Sequence, residues 1–298
     1  MREPVSDYRQ GLLHAFLAYA VWGLLPAYIK LLAGVSALEI VANRVIWSLG
    51  IILAILVWRR QLAGFLAVLS APRMLAALSL SAVLIAINWL AYIWAVVHGH
   101  VLAASLGYFL NPLVNVLIGV TLLHERLSRV QWCAIGLAAC GVAILAAGAP
   151  DTLGISLALA LSFAFYGLVR KLTPVSALVG LAVETLVLLV PAIAAFVWVQ
   201  ETSGVSFGQD IPMTALLVAT GVVTSVPLLL FASAARRLSM VTLGLIQYVA
   251  PTLQFLLGVF VYGERLSVDR WASFGLVWAG LALFMGHALR QRGRPATV

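Results

Sequence analysis

Charged residues are scarce in this chain. They make up 9% of its 298 residues, compared with about a quarter of a typical soluble domain. Hydrophobic residues make up 63%, and the mean hydropathy is +1.09. A soluble core cannot bury that much apolar surface, which excludes a soluble globular protein. We therefore expect the chain to be embedded in a lipid bilayer, so lipid is its first predicted partner.

Several chemical signatures are missing as well. The sequence contains no Walker A pattern, so direct use of ATP is not expected, and no HExxH metal motif. Its two cysteines, Cys133 and Cys140, lie seven residues apart on one predicted helix, about 10.5 Å along the axis, which is too far for a disulfide. The polar residues predicted at depth form no nucleophile–base pair. We therefore expect no catalytic residues, no metal site and no cofactor.

Apolar runs long enough to cross a membrane, about 20 residues each, occur ten times. The predicted spans are about 11–31, 38–58, 74–97, 101–123, 130–148, 153–169, 177–199, 212–234, 240–262 and 270–289. Short connections rich in turn or polar residues separate them, and no remaining segment is large enough for a soluble domain. The sequence predicts one bundle of ten transmembrane helices.

Lysine and arginine are unevenly distributed among the connections. With a cytoplasmic N-terminus, fourteen of the eighteen fall on the cytoplasmic side, whereas Lys30, Arg265 and Arg270 fall outside and Arg44 lies within the bilayer. The fourteen are Arg2, Arg9, Arg59, Arg60, Arg73, Arg126, Arg129, Arg170, Lys171, Arg236, Arg237, Arg290, Arg292 and Arg294. Cytoplasmic loops are enriched in these residues, so both termini are predicted to be cytoplasmic. The net charge of +8 then reflects topology, and no nucleic-acid partner is expected.

The second half of the chain repeats the first. The segment "HERLSRVQWCAIGLAACGVA" at 124–143 aligns with "GERLSVDRWASFGLVWAGLA" at 263–282, and extension back to Pro112 and Pro251 gives thirteen identities over 32 positions. Five helices per repeat is an odd number, so the second copy enters the membrane from the opposite side, as in inverted-repeat transporters. The predicted fold is an all-α integral membrane protein with two inverted five-helix repeats. The repeats are residues 1–148 and residues 149–298.

The chain also resembles RarD-type permeases, which belong to the EamA group of the drug/metabolite transporter superfamily. The resemblance is carried by the blocks "YAVWGLLPAYIKLL", "ANRVIWS", "NWLAYIWAV", "SLGYFLNPLVNVLIGVTLLHERL", "LSFAFYGLVRK" and "TSVPLLLFASAARRLSMVTLGLIQYVAPTLQFLLGV". It implies the drug/metabolite transporter fold and a bacterial inner-membrane location. It also implies a central cavity lined mostly by the first four helices of each repeat, but it supplies no substrate.

Two charged residues, Arg44 and Glu184, are predicted inside the bilayer, and the repeat makes them equivalent at an offset of 140. Ionisable residues within spans are functional candidates. Each lies about 9 Å from its own membrane face, and the faces are opposite, which leaves roughly 12 Å of height between them. Direct contact is therefore not favoured. We predict that Arg44 binds substrate and that Glu184 carries protons; the alternative is that both serve helix packing.

Two predicted helices carry matched polar residues around a proline. The stripes are Tyr108, Asn111 and Asn115 around Pro112 in one helix, and Gln247 and Gln254 around Pro251 in the other. A proline frees a backbone carbonyl, and a matched pair of broken helices is typical of a midplane binding site in transporters. We predict that the prolines are hinges and that the polar side chains bind substrate. The alternative is that the amides fasten helices together.

Softer candidates for substrate binding are Asn88 and Tyr92 in the third span and Tyr166 in the sixth. Glu125 is interpreted as a local helix cap or a gate latch. Gly136, Gly141, Gly275 and Gly280 are matched small residues that favour close helix approach within the bundle over a dimer seam.

The sequence thus predicts a secondary active transporter. It would export a small organic metabolite or drug-like molecule by alternating access, as a monomer or a homodimer, with proton coupling and exchange both left open. A passive channel or facilitator is the alternative, followed by a membrane-embedded enzyme. A pore is less favoured because it needs rings of like charge, whereas each repeat here offers one charge of opposite sign.

Overall fold

The computed structural model describes residues 5–97, 101–147, 153–263 and 268–292, which are helical apart from short connections. The helices are α1 (Val5–Leu31), α2 (Ala37–Trp58), α3 (Leu62–Leu69), α4 (Pro72–Val97), α5 (Val101–Thr121), α6 (Arg129–Ala147), α7 (Leu153–Leu172), α8 (Ala177–Thr202), α9 (Ile211–Ala235), α10 (Met240–Gln247), α11 (Val249–Leu256) and α12 (Val268–Arg292). A π-helical segment, Leu257–Val261, continues α11. No strand occurs in these residues, so the all-α prediction is confirmed.

Eight helical segments of the described chain are long and apolar enough to cross a membrane. They are α1, α2, α4, α6, α7, α8, α9 and the continuous stretch Met240–Val261 that holds α10, α11 and the π segment. The part of α5 from Ser105 to Thr121 is also apolar, but it is shorter than these eight segments. The helices form where the sequence offers long apolar runs with few charged residues.

Two elements differ from the sequence-based prediction. The connection between α2 and α4 was predicted without a helix, yet it contains α3, whose Phe65 and Val68 are buried and which packs against α8. The ninth predicted span is not one regular helix. A turn at Tyr248 separates α10 from α11, and the π segment follows.

The connections gather at two opposite ends of the bundle. At one end, which we call the first face, the Glu39 carboxylate accepts backbone N–H groups of Ser206 at 2.9 and 3.1 Å and of Phe207 at 2.9 Å. This ties the start of α2 to the α8–α9 connection. At the other end, the second face, Gln61 and Ser176 are hydrogen-bonded at 3.3 Å, which joins the α2–α3 turn to the α7–α8 connection.

Helices α6 and α12 approach each other closely at two glycines. A Cβ on Gly141 would lie 2.7 Å from the Ser273 carbonyl oxygen, and one on Gly280 would lie 2.6 Å from the Ala134 carbonyl oxygen. Ser273 Oγ also donates to the Gly141 carbonyl at 2.7 Å. The predicted close approach is confirmed for Gly141 and Gly280, but it is wrong for Gly136 and Gly275, where a Cβ would have no neighbour within 4 Å. The main hydrophobic core lies elsewhere, between α1, α2, α4, α7, α8 and α9.

Glu125, which follows α5, caps the start of α10. Its carboxylate accepts the backbone N–H of Met240 at 2.8 Å and that of Val241 at 3.0 Å. An anionic acceptor at a helix N-terminus satisfies backbone donors that have no partner within the helix, and it interacts favourably with the helix dipole. The cap therefore connects two elements that are far apart in sequence, which goes beyond a local cap.

Replacing Glu125 by alanine should lower the free energy of unfolding by about 0.5–2 kcal/mol, because two N–H groups of α10 lose their acceptor. The measurement is unfolding of the purified protein in mixed detergent micelles, followed by circular dichroism. Glu201→Ala, at an exposed position near the end of α8, is the matched control and should change stability by less than about 0.5 kcal/mol. Equal stability of the two variants would contradict the capping role.

Candidate substrate site

Arg44 lies on α2, seven residues from its start, and its side chain points into the bundle. Nε donates to Thr224 Oγ1 of α9 at 2.8 Å, and the guanidinium carbon lies 4.8 Å from the centre of the Trp89 ring of α4. Both ion pairs found among the described residues involve other arginines, so no carboxylate there is paired with Arg44. Arg44 is thus a cation held by a hydroxyl group and an aromatic face.

Three tyrosines complete the surroundings of this guanidinium. Tyr28, Tyr92 and Tyr108 all lie close enough to the Arg44 guanidinium to interact with it electrostatically. The rings of Tyr92 and Tyr108 are 5.9 Å apart with a tilt of 56°, and Tyr92 remains 37% exposed. The Tyr28 hydroxyl donates to the carbonyl of Leu216. We call the following set the Arg44 cluster: Tyr28, Arg44, Trp89, Tyr92, Tyr108 and Thr224.

The predicted amides of α5 and α10 contact one another and the neighbouring helix. Asn115 Nδ2 donates to Gln247 Oε1 at 2.9 Å and to Asn111 Oδ1 at 3.1 Å. Asn111 Nδ2 donates to the Ala160 carbonyl of α7 at 2.6 Å, and all three amides are buried. These contacts fit the alternative in which amides fasten helices, and substrate binding by them stays a prediction.

Two further predicted amides also bridge helices. Asn88 Nδ2 donates to the Leu159 carbonyl at 2.9 Å and to Ser162 Oγ at 3.1 Å, which joins α4 to α7. Gln254 Nε2 donates to the Trp22 carbonyl at 3.2 Å, which joins α11 to α1. The structure therefore brings Tyr92 and Tyr108 to Arg44, whereas the amides lie in the contacts between helices.

The two predicted hinge prolines lie in different backbone environments. Helix α5 runs through Pro112 without a break, and the Pro112 carbonyl packs so closely on α10 that a Cβ on Gly244 would lie 2.7 Å from it. Pro251 lies in the first turn of α11, just after the turn at Tyr248. Proline has no N–H to donate to the carbonyl of Gln247, which matches the end of α10 at that residue. Hinge motion at either proline stays a prediction.

Glu184 of α8 is paired with an arginine other than Arg44. Arg170 Nη1 of α7 lies 3.4 Å from Glu184 Oε1, and the two side chains are 1% and 2% exposed. Ser81 of α4 donates to the same carboxylate oxygen, and the Tyr166 hydroxyl donates to Oε2 at 3.5 Å. We call Ser81, Tyr166, Arg170 and Glu184 the Glu184 network.

The neighbouring backbone is shaped around the Arg170 guanidinium. Nη2 donates to the Ala177 carbonyl at 3.1 Å, at the start of α8. A Cβ on Gly180 would collide with the guanidinium, so this position of α8 makes room for it by lacking a side chain. The network thus fastens α4, α7 and α8 close to the second face.

Arg170 was counted among the charges of the cytoplasmic side, and nothing in the structure contradicts that side, but its side chain is buried rather than exposed at the membrane surface. Arg170 lies two residues before the end of α7, and helical side chains point towards the helix N-terminus, here into the bundle. A signal in the sequence supports this placement: Ser162, Tyr166 and Arg170 recur every four residues on one face. Glu39 is also buried, beneath the α8–α9 connection, so Arg44 and Glu184 are not the only interior charges.

Aromatic rings fill the interior between the two polar groups. Trp22, Phe163 and Phe231 have ring centres 5.1–5.7 Å apart, and Tyr166 stacks on Phe231 at 5.8 Å. On α1, Trp22 lies six residues, about 9 Å, closer to the second face than Tyr28 does. Tyr166 contacts Glu184, so in depth along the bundle these rings lie between Tyr28 of the Arg44 cluster and the Glu184 carboxylate. We call Tyr19, Trp22, Phe163, Tyr166 and Phe231 the aromatic layer.

The chain matches the model of the EamA-like transporter family over residues 9–147 and 152–286. It belongs to this family. Among similar proteins, Protein RarD of Salmonella typhi is 47% identical over 282 residues, 94% of this chain and 96% of that protein. Protein RarD of Escherichia coli (strain K12) is 45% identical over 96% of this chain and 97% of its own length. The predicted resemblance to RarD-type permeases is therefore confirmed.

Two further comparisons agree with the EamA assignment. An uncharacterized transporter of Vibrio cholerae is 42% identical over 98% of this chain and 99% of its own. One solved crystal structure of a protein matches this EamA fold with a TM-score of 0.69 over 92% of this chain and 96% of that chain, at 21% identity. This EamA-like protein is a multi-pass membrane transporter.

In this EamA-like transporter, sequence reasoning identified Arg44, Tyr92, Tyr108 and Glu184, but it missed Tyr28 and two partners of Glu184. Arg170 was missed because it stands at a helix end, although its spacing from Tyr166 indicates the buried face. Ser81, which bonds Glu184, is one of two serines in "LSLSAVLIAINW", and no pattern in that apolar segment sets it apart.

Proposed function

We propose that this transporter is a secondary active carrier that exports a small organic metabolite or drug-like molecule across the bacterial inner membrane by alternating access. The observation that carries the proposal is the separation of two interior polar groups by the aromatic layer. The Arg44 cluster lies towards the first face, and the Glu184 network lies towards the second. A binding site with a closed gate on one side is what alternating access requires.

The proposed architecture has ten spans in two inverted repeats, residues 1–148 and 149–298, with both termini cytoplasmic. The family model matches two successive stretches of the chain, which supports the repeat. Eight helical segments of the described chain are long and apolar enough to be membrane spans, and in this proposal helices α5 and α12 are the other two. The second face is cytoplasmic in this arrangement, since Arg59, Arg60, Arg236 and Arg237 lie there.

Glu184 is the proposed site of the coupled proton. The groups that face its carboxylate are Arg170 and Tyr166 from α7 and Ser81 from α4. Binding of a proton would neutralise the carboxylate and remove the attraction that holds Arg170 beside α8. Helices α7 and α8 could then separate at the second face, which links proton binding to the opening of that side.

A passive facilitator is the second candidate, and the aromatic layer argues against it. Packed rings between two polar regions are typical of a gate that excludes water, rather than of a permanently open pore. The relatives' names, which include transporters, support transport over catalysis by a membrane-embedded enzyme.

Uptake into proteoliposomes tests the proposal. Amino acids, phenolic compounds and aryl antibiotics are screened for ligand-induced thermal shift, and the strongest ligand is used for uptake with and without a pH gradient. A coupled carrier should give saturable uptake driven by the gradient, together with proton movement reported by a trapped pH dye. The double variant Arg170→Gln/Glu184→Gln, which leaves no unpaired charge in the Glu184 network, should lose the gradient dependence. Non-saturable uptake that ignores the gradient would support the facilitator instead.

A further inference from the structure

The Arg44 cluster holds a positive charge that no acidic side chain balances among the described residues. The guanidinium has Thr224, Trp89 and three tyrosines around it, and neither of the two ion pairs of the described chain includes it. A guanidinium removed from water without a counter-ion is unfavourable. An anion bound beside Arg44 would supply the missing counter-charge.

The geometry of the guanidinium favours a carboxylate as that anion. Of its three nitrogens, Nε alone is hydrogen-bonded to the described residues, through Thr224. The two Nη atoms keep donors that match the two oxygens of a carboxylate in a bidentate pair. The hydrogen bond from Nε to Thr224 thus fixes the orientation of the guanidinium plane. The edge formed by the two Nη atoms is left to bind the ligand.

The rest of the ligand would meet aromatic surface. Tyr92 and Tyr108 are tilted rings 5.9 Å apart beside Arg44, and Tyr92 is 37% exposed, so part of its ring surface is uncovered. Trp89 lies under the guanidinium itself. Aromatic rings pack on one another in tilted or offset arrangements, which favours a ligand with a flat ring close to its carboxylate.

In the described part of the chain, neither of the two buried carboxylates, Glu39 and Glu184, is available to pair with a ligand's ammonium group at this cluster. Glu39, on the same helix as Arg44, is committed to the N–H groups of Ser206 and Phe207. Glu184 is held by the Glu184 network beyond the aromatic layer. An ammonium group bound beside Arg44 would be buried next to a like charge, which disfavours amino acids and amines.

We propose that the Arg44 cluster binds aromatic carboxylates that lack an ammonium group, with the carboxylate on the Arg44 guanidinium and the ring against Tyr92 and Tyr108. This inference rests on the proposed function and names the substrate class of the same site.

Four compounds that differ in one feature each test the inference on the purified full chain. The reference is 3-phenylpropanoate; L-phenylalanine adds an ammonium group, 2-phenylethylamine replaces the carboxylate by one, and 3-cyclohexylpropanoate has a saturated ring. Binding is measured by calorimetry in detergent. We expect 3-phenylpropanoate to bind most tightly, L-phenylalanine at least about tenfold more weakly, and 3-cyclohexylpropanoate about three- to tenfold more weakly. No binding of 2-phenylethylamine should be detected.

A Tyr108→Leu variant tests the contact between the ligand ring and Tyr108 without any change to Arg44. It should weaken binding of 3-phenylpropanoate while leaving 3-cyclohexylpropanoate unchanged, because only the aromatic ligand loses a ring–ring contact. Tighter binding of L-phenylalanine than of 3-phenylpropanoate, or equal loss of both acids in the variant, would overturn the substrate class.

The failure of this inference is distinguishable from failure of the proposed function. Transport of a compound outside this class, without binding of 3-phenylpropanoate, would overturn the substrate class alone. Binding of 3-phenylpropanoate without transport of it or of any compound in the screening panel would overturn the transport function and leave the binding site standing.

Discussion

An Arg170→Gln variant should lose about 3–5 kcal/mol of unfolding free energy, because glutamine leaves Glu184 as a buried carboxylate without its counter-ion. Glutamine can still donate a hydrogen bond, but it carries no charge to offset the desolvation of the carboxylate. The same expectation holds for Glu184→Gln, which leaves the Arg170 guanidinium buried beside Gly180 without an anion. Unfolding of the purified protein in mixed detergent micelles measures both changes.

The double variant Arg170→Gln/Glu184→Gln distinguishes the contribution of the ion pair to stability from the cost of leaving either charge unpaired. With both charges removed, most of the lost stability should return, because replacing a buried ion pair by neutral groups is often close to neutral. Arg237→Gln is the matched control. Arg237 is paired with Asp7 at 2.8 Å, but the side chains are 28% and 38% exposed, so the loss should be at most about 1 kcal/mol. A double variant as unstable as Arg170→Gln would show that the two residues act separately.

Arg44→Gln should remove saturable transport while the protein still inserts and stays monodisperse in detergent. Loss of one partner of a buried charge pair costs at least about 2 kcal/mol, which corresponds to an affinity about thirtyfold lower. Arg44→Lys should restore only part of the activity, because lysine keeps the charge but lacks the bidentate group. Initial uptake rates in proteoliposomes at several ligand concentrations measure the change.

Arg59→Gln is the control for the Arg44 variants, since Arg59 is an exposed arginine just after the same helix. It should transport at the wild-type rate. Normal transport by Arg44→Gln would exclude a role in substrate binding. If Arg44→Gln fails to fold while Arg59→Gln folds, Arg44 serves helix packing through Thr224 and Trp89.

The long helices follow closely from the sequence, because an uninterrupted apolar run of about 20 residues has few alternatives in lipid. The second span was predicted at 38–58, and α2 is Ala37–Trp58. Helix α3 was missed, since its eight residues are too few to span a membrane and give little periodic signal. The position of Arg44 inside an apolar run marked it as a candidate, and the structure adds its contacts with Thr224 and Trp89.

The interior contacts could not be predicted, because they depend on how each helix is rotated about its axis. The repeat paired Arg44 with Glu184, but it gave no information on the partner of Glu184, which is Arg170 on an adjacent helix. At the 139-residue offset that aligns Pro112 with Pro251, Asn115 is equivalent to Gln254, whereas the structure bonds Asn115 to Gln247. Inverted repeats specify which positions are equivalent, while contacts between the repeats follow from packing.

Counterflow in proteoliposomes tests most directly the claim that this protein is an alternating-access carrier with its binding site at Arg44. Vesicles are loaded with an excess of the unlabelled ligand found by thermal shift and are diluted into a trace of the labelled ligand. Labelled ligand should accumulate transiently above its equilibrium level with the wild type and Arg59→Gln, and not with Arg44→Gln. A simple approach to equilibrium without overshoot, equal in all three proteins, would contradict the account.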